Sequence, residues 1–406
     1  MSFAENSKEN AHIPELDGIR GVAIALVLMF HFLYVPAVVT PGGLAWHVLA
    51  PLRMGWTGVD LFFVLSGFLI GGILLDARGS SNYFRTFYIR RSYRILPLYA
   101  LVVFACYLQT VILERENLPQ LSWMLQGRLP WFSYMFFVQN FWMAAQNTFG
   151  TWGLGGTWSL AIEEQFYITL PFLIWMLGPR CLQKVLLAAV IAAPIIRTLF
   201  CLGWPGNWML AYVLMPCRAD ALLLGVLAAI AMRTMTYRTW IDQNGRLIRR
   251  ALFVLFLGCT VLLHLASSPD SRLMQTFGYS WVALLYALCL VYALTQRSSL
   301  ISRILRVDVL KSLGKVAYGV YLLHACVITL LTVWISPMHP FRSAWPALDS
   351  WFQFGVTIIA LFLTFGLCQL SWRYIEEPLV RIGHRSKYEF ESVPHVLDAR
   401  QLVSPR

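Results

Sequence analysis

Two ionisable residues interrupt a stretch of chain, 19–39, that is otherwise almost entirely apolar: Arg20 and His31. Burying such groups in hydrocarbon costs several kcal/mol unless they are paired or hydrated, so they mark function by default. Eleven positions separate them. At about 100° per residue this is roughly 1100°, about 20° from three whole turns. On a straight helix both side chains therefore share a face, roughly 16 Å apart along the axis. Asp17, one turn before Arg20, is a candidate ion partner. Histidine is the common general base near neutral pH. The alternative is a packing histidine hydrogen-bonded to a neighbouring helix.

Two further clusters carry chemistry. "FYIRRSYRILPLY" holds Arg90, Arg91 and Arg94. Arg91 and Arg94, three apart, are neighbours on a helix surface and suit a phosphate-bearing ligand; they equally suit anchoring a helix end to anionic lipid. "TWSLAIEEQFY" holds Glu163 and Glu164. Consecutive carboxylates point about 100° apart, so only one of them faces an interior squarely. Acids at a helix N-terminus are also favoured for purely electrostatic reasons. Weaker signals are Arg218 and Asp220, which can pair with each other or with other helices, and His324 in "YGVYLLHAC", which reads as structural. Glycines in "LSGFLIGG" permit close helix contacts. "IEEP" reads as the end of the last helix, stopped by Pro378.

The elements that must position these groups are long apolar segments. The chain is 58% hydrophobic and only 13% charged, against about 25% charged in soluble domains. Eleven candidates run 19–39, 57–75, 94–113, 131–145, 159–177, 183–202, 208–231, 251–267, 277–295, 314–335 and 351–372. They are continuous rather than alternating, which excludes a β-barrel and predicts an all-α polytopic membrane bundle. The fourth is short, aromatic and carries Gln139 and Asn140. If it does not span, the basic connections 78–94, 180–184, 233–250, 297–315 and the tail after 373 all fall on one face. The positive-inside rule then predicts ten spans, both termini cytoplasmic, and an interfacial or re-entrant outer helix at 131–145. One domain over 1–372 and a cytoplasmic tail over 373–406 follow.

The same rule accounts for the net charge of +12 without a nucleic-acid partner. Eight dispersed cysteines with no CxxC pair read as helix-packing residues, and no metal site is expected. The first apolar run follows a polar start and is of spanning length, so a retained helix is expected rather than a cleaved leader.

Taken in order, "LDGIRGVAIALVLMFHF", "GVDLFFVLSGFLI", "RRSYRILPLY", "TWSLAIEEQFY", "YGVYLLH" and "YIEEP" resemble the acyltransferase-3 family of membrane O-acyltransferases. The resemblance runs from about Glu15 to Pro378. It implies a bacterial inner-membrane enzyme that takes an acyl group, expected to be acetyl, from cytoplasmic acyl-coenzyme A. The group passes to a hydroxyl of a cell-surface or secreted carbohydrate or glycolipid. By position, the resemblance implies that His31 is the essential histidine and Arg20 its motif partner. Arg91 and Arg94, with Arg90 beside them, match the pair expected near the coenzyme A phosphates, and Glu163 matches the family's acidic position. Some members carry an SGNH hydrolase-like extracytoplasmic domain, which is not visible here, leaving room for a separate extracytoplasmic partner protein. The expected chemistry has His31 as general base or acylated intermediate, Arg20 orienting the donor, and Glu163 orienting His31 or the acceptor. The rival reading is a transporter or flippase of a lipid-linked sugar, with the buried charges as its path.

Overall fold

The structure, a computed structural model, describes residues 13–35, 37, 47–116, 124–335 and 351–390. Among them every regular element is helical. α1 (Pro14–Met29) runs into a π-helical turn, Phe30–Tyr34, and a 3-10 segment, Ala50–Thr57, leads into α2 (Gly58–Ala77). Then come α3 (Tyr83–Glu116), the short α4 (Trp131–Met135) and α5 (Gln139–Gln146), α6 (Thr157–Met176) and α7 (Pro179–Gly203). α8 (Met209–Val213), α9 (Met215–Arg233), α10 (Met235–Gln243), α11 (Gly245–Leu265) and α12 (Tyr279–Thr295) follow. The last group is α13 (Leu300–Leu305), α14 (Asp308–Lys315), α15 (Ala317–Ile335), α16 (Trp351–Ser371) and α17 (Glu377–Gly383).

Eight of these helical runs are long and apolar enough to cross a membrane, and the chain is a polytopic helical membrane protein. The other two segments expected to span are α6, whose centre carries Glu163 and Glu164, and α15. The peripheral α7 and α11 leave Leu199, Phe253 and Phe256 more than 60% exposed. That exposure is stable only against lipid, where no hydrophobic penalty attaches to it. α2 and α9 form the centre. Gly67 and Gly225 let their backbones meet: a Cβ on Gly67 would lie 1.8 Å from the Leu222 carbonyl oxygen, and one on Gly225 2.1 Å from that of Val64. The glycine run therefore works as expected, replacing side-chain bulk with close backbone packing.

The segment at 131–145 is a broken pair, α4 and α5, rather than one helix. Phe137 at the break has φ 55°. Gln139 and Asn140 point inward, donating to the carbonyl oxygens of Thr157 at 3.0 Å and Val213 at 3.1 Å. Gln165 donates back to the Phe137 carbonyl at 2.9 Å. An interruption of this kind is tolerated at membrane depth only where protein groups satisfy the freed backbone.

Pro378 does not stop the last helix. α16 continues through a π-helical turn, Trp372–Glu376, into α17, where Pro378 occupies the first turn. The run is unbroken, so Pro378 forfeits one intrahelical bond, and the wider π-helical turn lies immediately before it. α17 packs on α3, and the chain beyond it does the same: Asn82 donates to the Lys387 carbonyl at 2.9 Å and the Ser81 N–H to that of Glu389 at 2.8 Å.

A sealed ionic cluster ties α2, α7, α9 and α12 together. Arg197 and Arg218, each no more than 1% exposed, pair with Asp220 at 2.9 Å and Asp60 at 2.6 Å. Arg197 also donates to the Gln275 carbonyl at 2.7 Å and the Ser280 hydroxyl at 2.6 Å, and Arg218 lies 4.1 Å over the Tyr279 ring. The two acids come from α2 and α9, so Arg218 and Asp220 pair with other helices and not with each other.

Candidate active site

A cavity of about 350 Å³ opens at the end of the bundle where α1, α3 and α15 begin and α14 ends. Its position follows from glycine contacts on α1. A Cβ on Gly18 would sit 1.9 Å from the Leu305 carbonyl oxygen, one on Gly21 2.0 Å from that of Leu310, and one on Gly314 2.0 Å from that of Asp17. Only glycine lets α13 and α14 lie this close to α1. That contact sets Lys315 on the same cavity wall as Arg20.

Five of the six sequence-derived site residues line the cavity: Arg20, Arg90, Arg91, Arg94 and Glu163. Arg20 is half-buried and bonds its expected partner Asp17 at 2.6 Å. Arg91 stands 5.3 Å over the Tyr167 ring, whose hydroxyl shares a 2.6 Å hydrogen bond with Ser66. Arg90 donates from Nε to the Ser386 carbonyl at 2.8 Å and lies 5.0 Å over Tyr388. The chain after α17 therefore holds Arg90 and adds Tyr388 and His384 to the cavity lining. Burial and the neighbouring Arg90, Arg94 and Arg91 hold the His384 imidazole below its ordinary range. It is neutral at neutral pH, so the cations here are the arginines and Lys315. Much of the remaining lining is apolar, including Phe62, Leu69, Ile70 and Phe87, with Ser66, Ser159 and Glu376 among it.

His31 is not among the side chains lining this cavity. It is the second residue of the π-helical turn Phe30–Tyr34 at the far end of α1, where the Val35 N–H reaches back to the Phe30 carbonyl at 2.9 Å. The turn starts only at Phe30, so the spacing back to Arg20 is almost wholly α-helical. The ring meets His324 of α15, with Nδ1 3.3 Å from His324 Nε2 and 3.1 Å from the Val27 carbonyl oxygen. His324, 3% exposed, lies one turn beyond Tyr321, which does line the cavity. Tyr321 is fixed in turn by Ser159 at 2.6 Å and the Gly156 carbonyl at 3.0 Å. The histidine pair thus lies one helical turn along α15 from a residue of the cavity lining.

Sequence reasoning missed Lys315, Tyr321, His324 and His384 as site residues. Lys315 was visible only as one cation in a basic connection. His324 lay in a recognised motif, but its partner is 293 residues away. Among the described residues there is no cluster of histidine, cysteine or acidic side chains able to hold a metal, and all eight cysteines are free thiols.

A family model described as "Acyltransferase domain" matches residues 13–373. Among curated proteins, the chain is 27% identical to the peptidoglycan O-acetyltransferase OatA of Listeria monocytogenes over 92% of its own length and 56% of that protein. It is 28% identical to the putative peptidoglycan O-acetyltransferase YrhL of Bacillus subtilis, over 94% and 57%. A putative O-acetyltransferase of Staphylococcus aureus, SACOL0978, is 25% identical over 93% and 58%. The chain therefore spans just over half the length of these relatives. No solved structure matches.

Proposed function

The chain belongs to the acyltransferase-3 family, whose model covers residues 13–373, and from that premise we propose that it is a membrane O-acyltransferase. The reaction moves an acyl group, acetyl in the first instance, from acyl-coenzyme A to a carbohydrate or glycolipid hydroxyl. One observation carries the donor assignment: five basic side chains line one cavity together with many apolar ones. A coenzyme A thioester has the matching form, phosphates at one end and a short acyl chain at the other. Arginine forks suit phosphate oxygens, and their charge is not offset by carboxylates in equal number.

Arg91 and Arg94 bind the phosphates, with Lys315 adding a point charge, and Arg90 is braced by the chain after α17. Arg20 orients the thioester. Glu163, within electrostatic reach of Arg91 and Arg94, aligns them. His31 takes the proton of the acceptor hydroxyl as its oxygen bonds to the acyl carbon. The carbon–sulfur bond breaks, and the same proton passes to the departing thiolate, giving an ester and free coenzyme A. No metal or redox partner enters this balance.

The relatives' names make a peptidoglycan-type sugar the first acceptor to test. The membrane is taken as the bacterial inner membrane with both termini cytoplasmic, which places the basic cavity on the donor side. A separate extracytoplasmic protein is a candidate for completing delivery to the acceptor. The test is purified protein in nanodiscs with labelled acetyl-coenzyme A and soluble glycan acceptors. Thioester turnover that yields an O-acetyl ester supports the reading. Movement of a lipid-linked sugar with no thioester turnover replaces it with a transporter.

A further inference from the structure

We propose that His324 is a positioning residue for this transfer, holding His31 in the one tautomer whose Nε2 is basic. The proposal deepens the reading of His31 as the base and rests on it. His324 Nδ1 lies 3.0 Å from the Val320 carbonyl oxygen and 2.9 Å from that of Tyr321. Carbonyl oxygens only accept, so this nitrogen carries hydrogen. A neutral imidazole has a single N–H, which makes His324 Nε2 an acceptor. It faces His31 Nδ1 at 3.3 Å, and that same nitrogen faces the Val27 carbonyl oxygen at 3.1 Å. Both partners accept, so His31 Nδ1 is the N–H. The lone pair of His31 is therefore on Nε2.

The opposite assignment fails on the same geometry. Were His324 doubly protonated, its Nε2–H would need a lone pair on His31 Nδ1. That lone pair would then point at the lone pairs of the Val27 carbonyl.

Two backbone carbonyls of α15 thus orient one imidazole, which orients a second. The logic is that of acyl-transfer triads, in which a third group fixes the tautomer of the base. Here the orienting group is neutral. It supplies direction without a full counter-charge, and when His31 takes the acceptor's proton its Nδ1–H continues to donate to His324. His324 sits one turn from Tyr321 on the cavity wall, so α15 couples the orientation of the base to the donor cavity.

The experiment compares His324→Leu, His324→Gln and His31→Gln with the parent in nanodiscs, measuring labelled acetyl transfer and acetyl-coenzyme A binding. His324→Leu should lower kcat about 10–100-fold, the range for partners that orient a functional histidine, with donor KM unchanged. His324→Gln, whose amide oxygen can accept from His31, should recover most of that loss. Equal losses in the leucine and glutamine variants with donor binding intact, or full kcat in the leucine variant, overturn the proposal while leaving the base reading in place. Full activity in His31→Gln overturns the base reading and this proposal together. Nitrogen-15 NMR of the histidine-labelled parent needs no variant to fold. It should find His31 protonated at Nδ1 and bare at Nε2, and the reverse pattern refutes the proposal.

Discussion

Two groups of charged side chains lie in this bundle, and they differ in how their charge is balanced. In the sealed cluster two arginines face two aspartates. Arg197 is spent on Asp220, Ser280 and carbonyls, whereas Arg218 pairs with Asp60 through one nitrogen and lies over the Tyr279 ring, its other two nitrogens without a hydrogen-bond partner among the described residues; the residues are no more than 1% exposed. In the cavity five cations, Arg20, Arg90, Arg91, Arg94 and Lys315, share a wall with two carboxylates, Glu163 and Glu376. Glu376 is itself held by Ser371 at 3.0 Å. A set balanced in charge joins helices; a set with surplus positive charge has the chemistry to suit an anion. Residue type alone does not separate these roles, since both sets are arginine-rich and both lie in helices.

The largest effect is expected at the histidine pair beside the cavity: His31→Ala should lower acyl transfer about 10²–10⁴-fold, the usual contribution of a positioned base. Its detergent melting temperature should stay at the parent value, and undiminished transfer would remove His31 from the chemistry. Next, Arg218→Met should cost about 3–5 kcal/mol of stability, because it strands Asp60 in a buried site. Pairing it with Asp60→Leu should recover most of that, as measured by thermal unfolding; if the double variant is no better, the pair is not a closed unit.

Removing Arg91 and Arg94 together should raise the donor KM about 10–100-fold, from the loss of charged hydrogen bonds of about 1.5–3 kcal/mol. Expression and melting should hardly change, since neither arginine closes a buried pair. A donor KM that stays put would return both residues to lipid anchoring. The smallest effect is expected outside both clusters. Glu377→Gln breaks the exposed pair to Arg381, 2.8 Å apart, and should change stability by no more than about 0.5 kcal/mol. A larger loss would mean that α17 depends on surface charge for its docking on α3.

Much of this organisation was legible along the chain because membrane helices announce themselves by apolar length. Arg20, Arg91, Arg94 and Glu163 stood out because each is costly in hydrocarbon, and all four line the cavity. The break at Phe137 was not legible, since a positive φ on phenylalanine depends on the groups that Gln139, Asn140 and Gln165 supply from elsewhere. Pro378 misled because the π-helical turn Trp372–Glu376 directly before it lets the helix run on past a proline. The sequence offered the π-helical turn at His31 no signature at all.

Composition and periodicity alone determined an all-helical membrane bundle with glycine-lined contacts and a few ionisable intruders, because local hydrophobicity and backbone satisfaction require no knowledge of neighbours. Which arginines are sealed and which stay open, and that His31 meets His324, depended on helices distant in sequence lying side by side. Pairing across 293 residues is a property of packed surfaces, and only the tertiary structure decides it.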